Sequence, residues 1–318
     1  MTATMASIDI GSYTTRLLVA GREGPSGPSR SLLRKRVYTR LSKGFDYSGR
    51  RILLPEAIER TLEALSDFSR EIERLDVPTV YAVATGVVRD AVNRKEFLDR
   101  ILEHTGLSVR LVSGEEEALL TGKGALSAVP PDKGGSLVFD LGGGSTEFFF
   151  SGGSDPYLGS LPLGASVLTE RFFKSDPPRE KEVDSVSEYI DRCLDSLTRT
   201  RDEARNISGR IIGTGGTITT LSAMLLEIPL TELTYDSING CILSRRDLQT
   251  LFSHIRHQDL NERLNLPGLD SQRAQVILAG SLVVMKILDF FGCANLTASM
   301  ADLLEGLMID HFEGEKNE

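Results

Sequence analysis

At 318 residues, with 40% hydrophobic and 25% charged residues, the chain has the balance of a folded globular protein. It is too long for one ordinary core, so two domains are expected. The net charge of −9 argues against nucleic-acid and anionic-membrane partners, and no apolar run is long enough to span a bilayer. Three widely spaced cysteines (Cys193, Cys241, Cys293) in apolar company suit reduced, packed thiols of a cytoplasmic protein better than disulfides or a metal site.

In chain order, MTATMASIDIGS has no cationic flank and reads as a first strand, not a signal peptide. From Arg30 to Arg51, eight basic residues (Arg30, Arg34, Lys35, Arg36, Arg40, Lys43, Arg50, Arg51) accompany the single acid Asp46, either as a solvated face or as a track for a polyanion. Pro55 opens a helix whose apolar stripe is Ile58, Leu62, Leu65, Phe68, Ile72 and Leu75. Val80 to Val88 reads as a buried strand leading into a loop, and Asn93 with Glu96 as a capping box for a helix that stops at Gly106. Ala128 to Gly135 is rich in turn residues and suits a hinge.

The runs SLVFDL and EFFF read as strands flanking a glycine turn. Further expected elements are a helix from about Glu180 to Arg205, a strand Arg210–Gly213, and a turn Thr214–Thr217 entering a helix. Then come a helix capped by Ser244 with Asp247, an apolar helix Gln272–Phe291, a last helix Met300–His311 and a frayed tail from Glu313. Strands alternating with helices indicate an α/β layer fold.

One long-range repeat organises this pattern. Asp9-Ile-Gly-Ser-Tyr-Thr-Thr-Arg16 aligns without a gap on Asp140-Leu-Gly-Gly-Gly-Ser-Thr-Glu147: Asp meets Asp, Gly meets Gly, Thr14 meets Ser145 and Thr15 meets Thr146. Each copy is flanked by apolar strand residues, as two duplicated lobes facing across a cleft require. Glycine in such turns (Gly11; Gly142, Gly143, Gly144) lets backbone N–H groups converge on an anion, and Ser12, Thr14, Ser145 and Thr146 add hydroxyl donors. A carboxylate before the turn repels phosphate unless a divalent cation lies between them. Asp140, Asp9 and Glu147 are therefore candidate ligands, with Mg²⁺ the simplest choice. Gly215, Gly216 and Thr217 form a third anion-binding turn at a helix N-terminus. No Gly-Lys-Ser/Thr follows a glycine run, and the repeated turn is followed by a strand, which excludes a P-loop and a Rossmann fingerprint.

These turns resemble those of the superfamily of actin, sugar kinases and heat-shock chaperone ATPases. More specifically, the chain is similar to the exopolyphosphatase/guanosine pentaphosphate phosphatase family. The matching segments are SIDIGSYTTRLLVA, TRLSKGF, ATGVVRDAVNRKEF, VSGEEEALLTGKGAL, VFDLGGGSTEFFF, LPLGASVLTERFF, GTGGTITTLSAM and RAQVILAGSLVVMKIL. The resemblance implies two actin-like (ribonuclease H-like) lobes, residues 1–123 and 124–296, with the last helix returning to the first lobe. It implies hydrolysis of a terminal phosphoanhydride of polyphosphate or guanosine pentaphosphate in the cytoplasm, with Mg²⁺, and leaves a homodimer open.

The family's catalytic base matches Glu117. The neighbouring Glu115 and Glu116 offer a reason for a raised pKa there. Arg89 matches an arginine suited to phosphate, and Asp140 and Glu147 match residues that handle metal and phosphate. Tyr13 stands where Asn is usual and Gln275 where a carboxylate is usual. Asp302 and Leu304 interrupt the ending G-L-R-E-G. The four histidines (His104, His254, His257, His311) form no triad and read as structural. A kinase of the same superfamily and a guanosine tetra- or pentaphosphate sensor remain alternative readings of the same turns.

Overall fold

The computed structural model describes residues 2–23, 29–47, 49–131, 135–151, 156–198 and 210–314. Two sheets carry the same strand plan. In the first, β1 (Thr2–Ile10), β2 (Thr15–Glu23) and β3 (Ser29–Val37) form an antiparallel meander. The strands β4 (Thr79–Ala84) and β5 (Val109–Leu111) then add parallel to β1, giving the order β3-β2-β1-β4-β5. The second sheet repeats this with β6 (Ser136–Leu141), β7 (Thr146–Phe150), β8 (Tyr157–Leu161), β9 (Arg210–Thr214) and β11 (Asn295–Ala298). Its order is β10-β11-β9-β6-β7-β8, with β10 (Ile242–Ser244) as an extra edge strand.

The registers match as well. Asp9 faces Arg16 across the first hairpin and Asp140 faces Glu147 across the second. Each turn closes with the same bond, Gly11 N to Thr14 O and Gly142 N to Ser145 O, both 3.0 Å.

Helices cover these sheets because their apolar stripes need burial. In α1 (Pro55–Arg74), Ile58, Leu62, Leu65, Phe68 and Ile72 are buried as the spacing requires, with Pro at the first turn. The Val80–Val88 segment differs from its expected strand and loop. The strand stops at Ala84, and Gly86–Asp90 winds into a one-turn helix, α2. Asn93 precedes α3 (Arg94–Thr105) but makes no side-chain cap. Its amide instead pairs both ways with the Leu53 backbone, accepting at 2.9 Å and donating at 3.0 Å, so a tertiary contact displaces the capping box. Gly106 ends α3 in the left-handed region as expected.

In the second lobe, α5 (Ala165–Phe172) and α6 (Glu180–Leu194) follow, and a 3₁₀ turn extends α6 to Leu197. The expected continuation from 199 to 205 lies outside the described residues, as do Asp132 to Gly134 of the expected hinge and 315–318 of the tail. The apolar helix runs over Ile277–Phe291, not from Gln272, because Ser271–Arg273 forms a separate 3₁₀ turn. Among the described residues no helix is long and apolar enough to cross a membrane. Among the described residues Cys193, Cys241 and Cys293 form no disulfide and pack against the second core.

The helix α4 (Gly114–Ser127) joins the two lobes, and the expected boundary at 123/124 falls inside it. Ala125 packs with Val138, Phe149 and Ile212 of the second sheet, and Leu120 with Val83 of the first. The last helix (Leu303–Gly314) buries Leu304, Met308 and Phe312 against Met5, Leu18 and Ala20, so it lies on the first sheet. It begins three residues later than the sequence suggests. Asp302 caps it by accepting from Leu304 N at 3.1 Å, and Glu305 accepts from Asp302 N at 3.0 Å.

The last helix crosses α4 backbone to backbone. A Cβ on Gly306 would stand 1.9 Å from the Leu120 carbonyl oxygen, and one on Gly124 1.9 Å from that of Asp302. Neither obstacle can swing away. Gly306→Ala should cost about 1–3 kcal/mol of stability through overpacking, read as a lower denaturant midpoint. Gly314→Ala, where an added Cβ meets nothing within 4 Å, should leave the midpoint in place.

Candidate active site

The two glycine turns meet at the cleft floor. A Cβ on Gly143 would lie 2.5 Å from the Tyr13 Cβ, and one on Gly144 2.5 Å from the Ser12 hydroxyl, so side chains there would push the lobes apart. Each turn is held from outside by its carbonyls. Ser12 O accepts from Ser42 N and Tyr13 O from Arg40 N; Gly142 O accepts from Ala165 N, and Gly143 O from Ser166 N and Val167 N. In a trans peptide the N–H points opposite its C=O. The N–H groups of Tyr13, Thr14, Gly143 and Gly144 are thereby aimed toward the cavity these residues line. The N-terminus of α5 thus orients the second turn without itself entering the cavity.

Around that cavity stand Asp9, Ser12, Arg16, Arg36, Thr85, Glu117, Asp140, Gly142, Ser145, Glu147, Gly215, Gly216 and Arg273. Gly11 also lines it but spends its N–H on the turn itself. Other expected contributors are occupied elsewhere. The Thr146 hydroxyl donates to Leu163 O at 2.8 Å, and Thr217 is buried against Gly280, so neither side chain lines the cavity. Arg89 acts one layer back: its Nη1 donates to Val112 O at 2.9 Å and lies 3.6 Å from Glu117 Oε2.

Four carboxyls share this enclosed space. Glu117, 8% exposed at the N-terminal end of α4, is raised well above the usual range by burial first. Repulsion from Glu147, Asp9 and Asp140 adds to this, and Arg89 opposes it. Its sequence neighbours do not supply that shift, because Glu115 is exposed and Glu116 pairs with Arg110. Burial likewise raises Asp140 and Glu147, with Asp302 and Glu147 repelling Asp140, and the Ser145 and Ser160 hydroxyls partly offsetting the rise at Glu147. Asp9 is raised by burial and held back by Arg16. Asp302 behaves oppositely. Although burial opposes its charge, Arg16 and Arg34 hold its carboxyl below the usual range.

Asp9 Oδ1 and Glu117 Oε2 are buried without a hydrogen-bond partner. The donor chemistry is that of a hard cation, but among the described residues no three Asp, Glu, His or Cys side chains close on one point. Such a set suits an ion that keeps waters and phosphate oxygens in its shell.

The cavity's cations were mostly not legible as site residues. Arg36 sits in the basic strip, yet β3 divides that strip. Arg34 pairs with Glu305, Lys35 pairs with Glu71 at 2.6 Å on the other face, and Arg36 reaches the cavity. Burial and the charge of Arg273 lower the Arg36 pKa. Arg273, 7% exposed, lies 5.9 Å from the Tyr13 ring centroid and 5.6 Å from that of Tyr38. Neither Arg36 nor Arg273 pairs with a carboxylate among the described residues. Thr85 and Gly86 are the first lobe's counterpart of Thr214 and Gly215, a likeness readable in ATG against GTG. Tyr13 ties the lobes together, donating to Gln272 O at 2.5 Å, beside Arg40 Nη2 donating to Gln272 Oε1 at 3.1 Å. Gln275 lines a neighbouring cavity beyond Tyr13, with Arg40, Lys43 and Arg60.

A duplicated α/β fold whose lobes close two N–H turns, buried carboxyls and unpaired guanidinium groups around one cavity defines a phosphate-handling enzyme of the actin-like class. The chain belongs to the Ppx/GppA phosphatase family, whose pattern matches residues 22–315. Exopolyphosphatase 2 of Mycobacterium tuberculosis is 30% identical over 316 residues, covering 96% of this chain and 97% of its own. The bifunctional 3-dehydroquinate synthase/phosphatase of Fusobacterium nucleatum is 29% identical over 98% of this chain, which spans only 47% of that longer protein. The crystal structure of the Aquifex aeolicus Ppx/GppA family member superposes with a TM-score of 0.81 at 32% identity, over 99% of both chains.

The raised carboxyls have a thermodynamic consequence. Asp9, Glu117, Asp140 and Glu147 titrate higher in the folded protein than in the unfolded chain, where carboxyls titrate near about 4. The folded state therefore binds more protons, and their contribution to stability is fullest below that pH and lost as pH rises through the folded values. In chelator, Tm should fall as pH is raised from about 5 toward neutrality. Glu147→Gln, which keeps an acceptor for Ser160, should flatten that fall. A Tm equally steep in both proteins would contradict the assignment.

Proposed function

We propose that this chain hydrolyses the terminal phosphoanhydride of inorganic polyphosphate or guanosine pentaphosphate, releasing orthophosphate. One observation carries the reading: buried carboxylate oxygens without hydrogen-bond partners, and the guanidinium groups of Arg36 and Arg273, which pair with no carboxylate among the described residues, line the same cavity as two converging N–H turns. A phosphate chain with a divalent counter-ion satisfies both sets of charges at once.

The chain's own groups divide the chemistry. Glu117 takes a proton from the attacking water, its raised pKa bringing its basicity toward the working pH. Arg89, 3.6 Å away, orients that carboxylate. The N–H groups of Tyr13, Thr14, Gly143 and Gly144, the hydroxyls of Thr14 and Ser145, and the guanidinium groups of Arg36 and Arg273 hold phosphoryl oxygens in line. Asp9 and Asp140, with Glu147 adjacent, would hold Mg²⁺, which when bound offsets the negative charge of the transferring group. Positioning and electrostatics suffice for phosphoryl transfer, so no covalent nucleophile is required. The similarity to proteins named exopolyphosphatase and phosphatase supports this substrate class.

Orthophosphate release from long polyphosphate and from guanosine pentaphosphate, measured with Mg²⁺, tests the reading. Glu117→Gln should slow both by about 10²–10⁴-fold with little change in KM. Equal rates in parent and variant would sink the assigned base. Phosphate transfer to a small acceptor without orthophosphate would favour a kinase instead.

A further inference from the structure

The two hairpins differ in charge at one cavity position: where the second carries Glu147, the first carries Arg16. Arg16 Nε and Nη2 both donate to Asp9 Oδ2, at 3.0 and 2.6 Å. Its Nη1 donates to Asp302 Oδ2, reaching a residue nearly three hundred positions later in the chain. Asp302 is 3% exposed and ends the crossover from β11 to the last helix. Its other oxygen caps that helix at Leu304 N, so the carboxylate is fixed from both sides.

We propose that Asp302 is a positioning residue for the cation site: it engages Arg16 so that Asp9 keeps a free oxygen and Arg16 does not take the place of a divalent ion as counter-ion of Asp9 and Asp140. This rests on the reading that such an ion serves the cavity. The charge balance gives the reason. Arg16 lies within the field of three aspartates, Asp302, Asp9 and Asp140. With Asp302 present, Arg16 and Asp302 cancel, and the two cavity aspartates retain a charge that matches a divalent cation.

Without Asp302, Arg16 would serve as the counter-ion of Asp9 and Asp140 and compete with the metal for them. Geometry acts in the same direction. Both Arg16 contacts to Asp9 fall on Oδ2, and Oδ1 is left buried and unpartnered. An arginine no longer held at Nη1 could rotate across to that second oxygen. Support of this kind behind a metal ligand changes affinity by about 10–100-fold in characterised sites.

Asp302→Asn tests this, because Asn still caps the helix at Leu304 N while losing the charge and the oxygen that accepts from Arg16. Isothermal titration of Mg²⁺ into the substrate-free protein should show about 10-fold weaker binding in Asp302→Asn than in the parent. The Mg²⁺ concentration for half-maximal phosphate release should rise by the same factor. Asp302→Ala, which also loses the cap, should in addition melt at lower temperature. A parent that binds no Mg²⁺ would overturn the cation reading itself. A parent that binds it with the same affinity as Asp302→Asn would overturn only the role of Asp302. A drop in Tm as large in Asp302→Asn as in Asp302→Ala would make the residue a structural cap, and would equally overturn the proposal.

Discussion

Burial of like charges is the condition that the rest of this molecule accommodates. Asp9, Glu117, Asp140 and Glu147 face one enclosed space, and burial raises the pKa of each. Left alone such a cluster is expensive, since each ionised carboxyl loses water and meets its neighbours' fields at short range. The fold answers with fixed partners: Ser160 on Glu147, Arg16 on Asp9, Arg89 near Glu117. These partners restrain the acids without quenching them, and the remaining field is available to a ligand that brings both a cation and phosphate oxygens.

Duplication explains how so much chemistry converges. The same meander with two added parallel strands, used twice, brings two turns of the same hydrogen-bonding pattern face to face. The copies have diverged where charge matters. Arg16 and Glu147 occupy equivalent register positions with opposite sign, and Tyr13 stands where the second turn has Gly144, its side chain against Gly143. Symmetry sets the backbone frame, and departures from it decide which side holds acids and which holds bases.

Much of this was legible in the chain because the hairpins are local. Asp-x-Gly followed by hydroxyl residues and then apolar ones encodes turn, donors and strands within eight residues. The α1 stripe is likewise legible, since period and Pro55 agree. Long-range contacts were not legible. Glu115 and Glu116 were adjacent to Glu117 in sequence, but Glu116 turns outward to Arg110, while the groups that perturb Glu117 come from other strands. Asn93 matched a capping box and was claimed by Leu53. Arg273 opens the segment RAQVILAGSLVVMKIL, but it enters the cavity from a 3₁₀ turn, and nothing local in that run marks it as a cavity residue. Asp302 looked like an interruption of a pattern, and its meaning depends on Arg16, which only the folded chain brings near.

The helix α4 carries a mechanical consequence. It is one of the two crossovers between lobes, it packs on both sheets and on the last helix, and Glu117 sits in its first turn. A rigid-body rotation displaces atoms in proportion to their distance from its axis. An axis through the crossovers would therefore displace Glu117, the proposed base, little. The group proposed to accept the proton is thus carried by the segment that joins the lobes, not by one lobe alone.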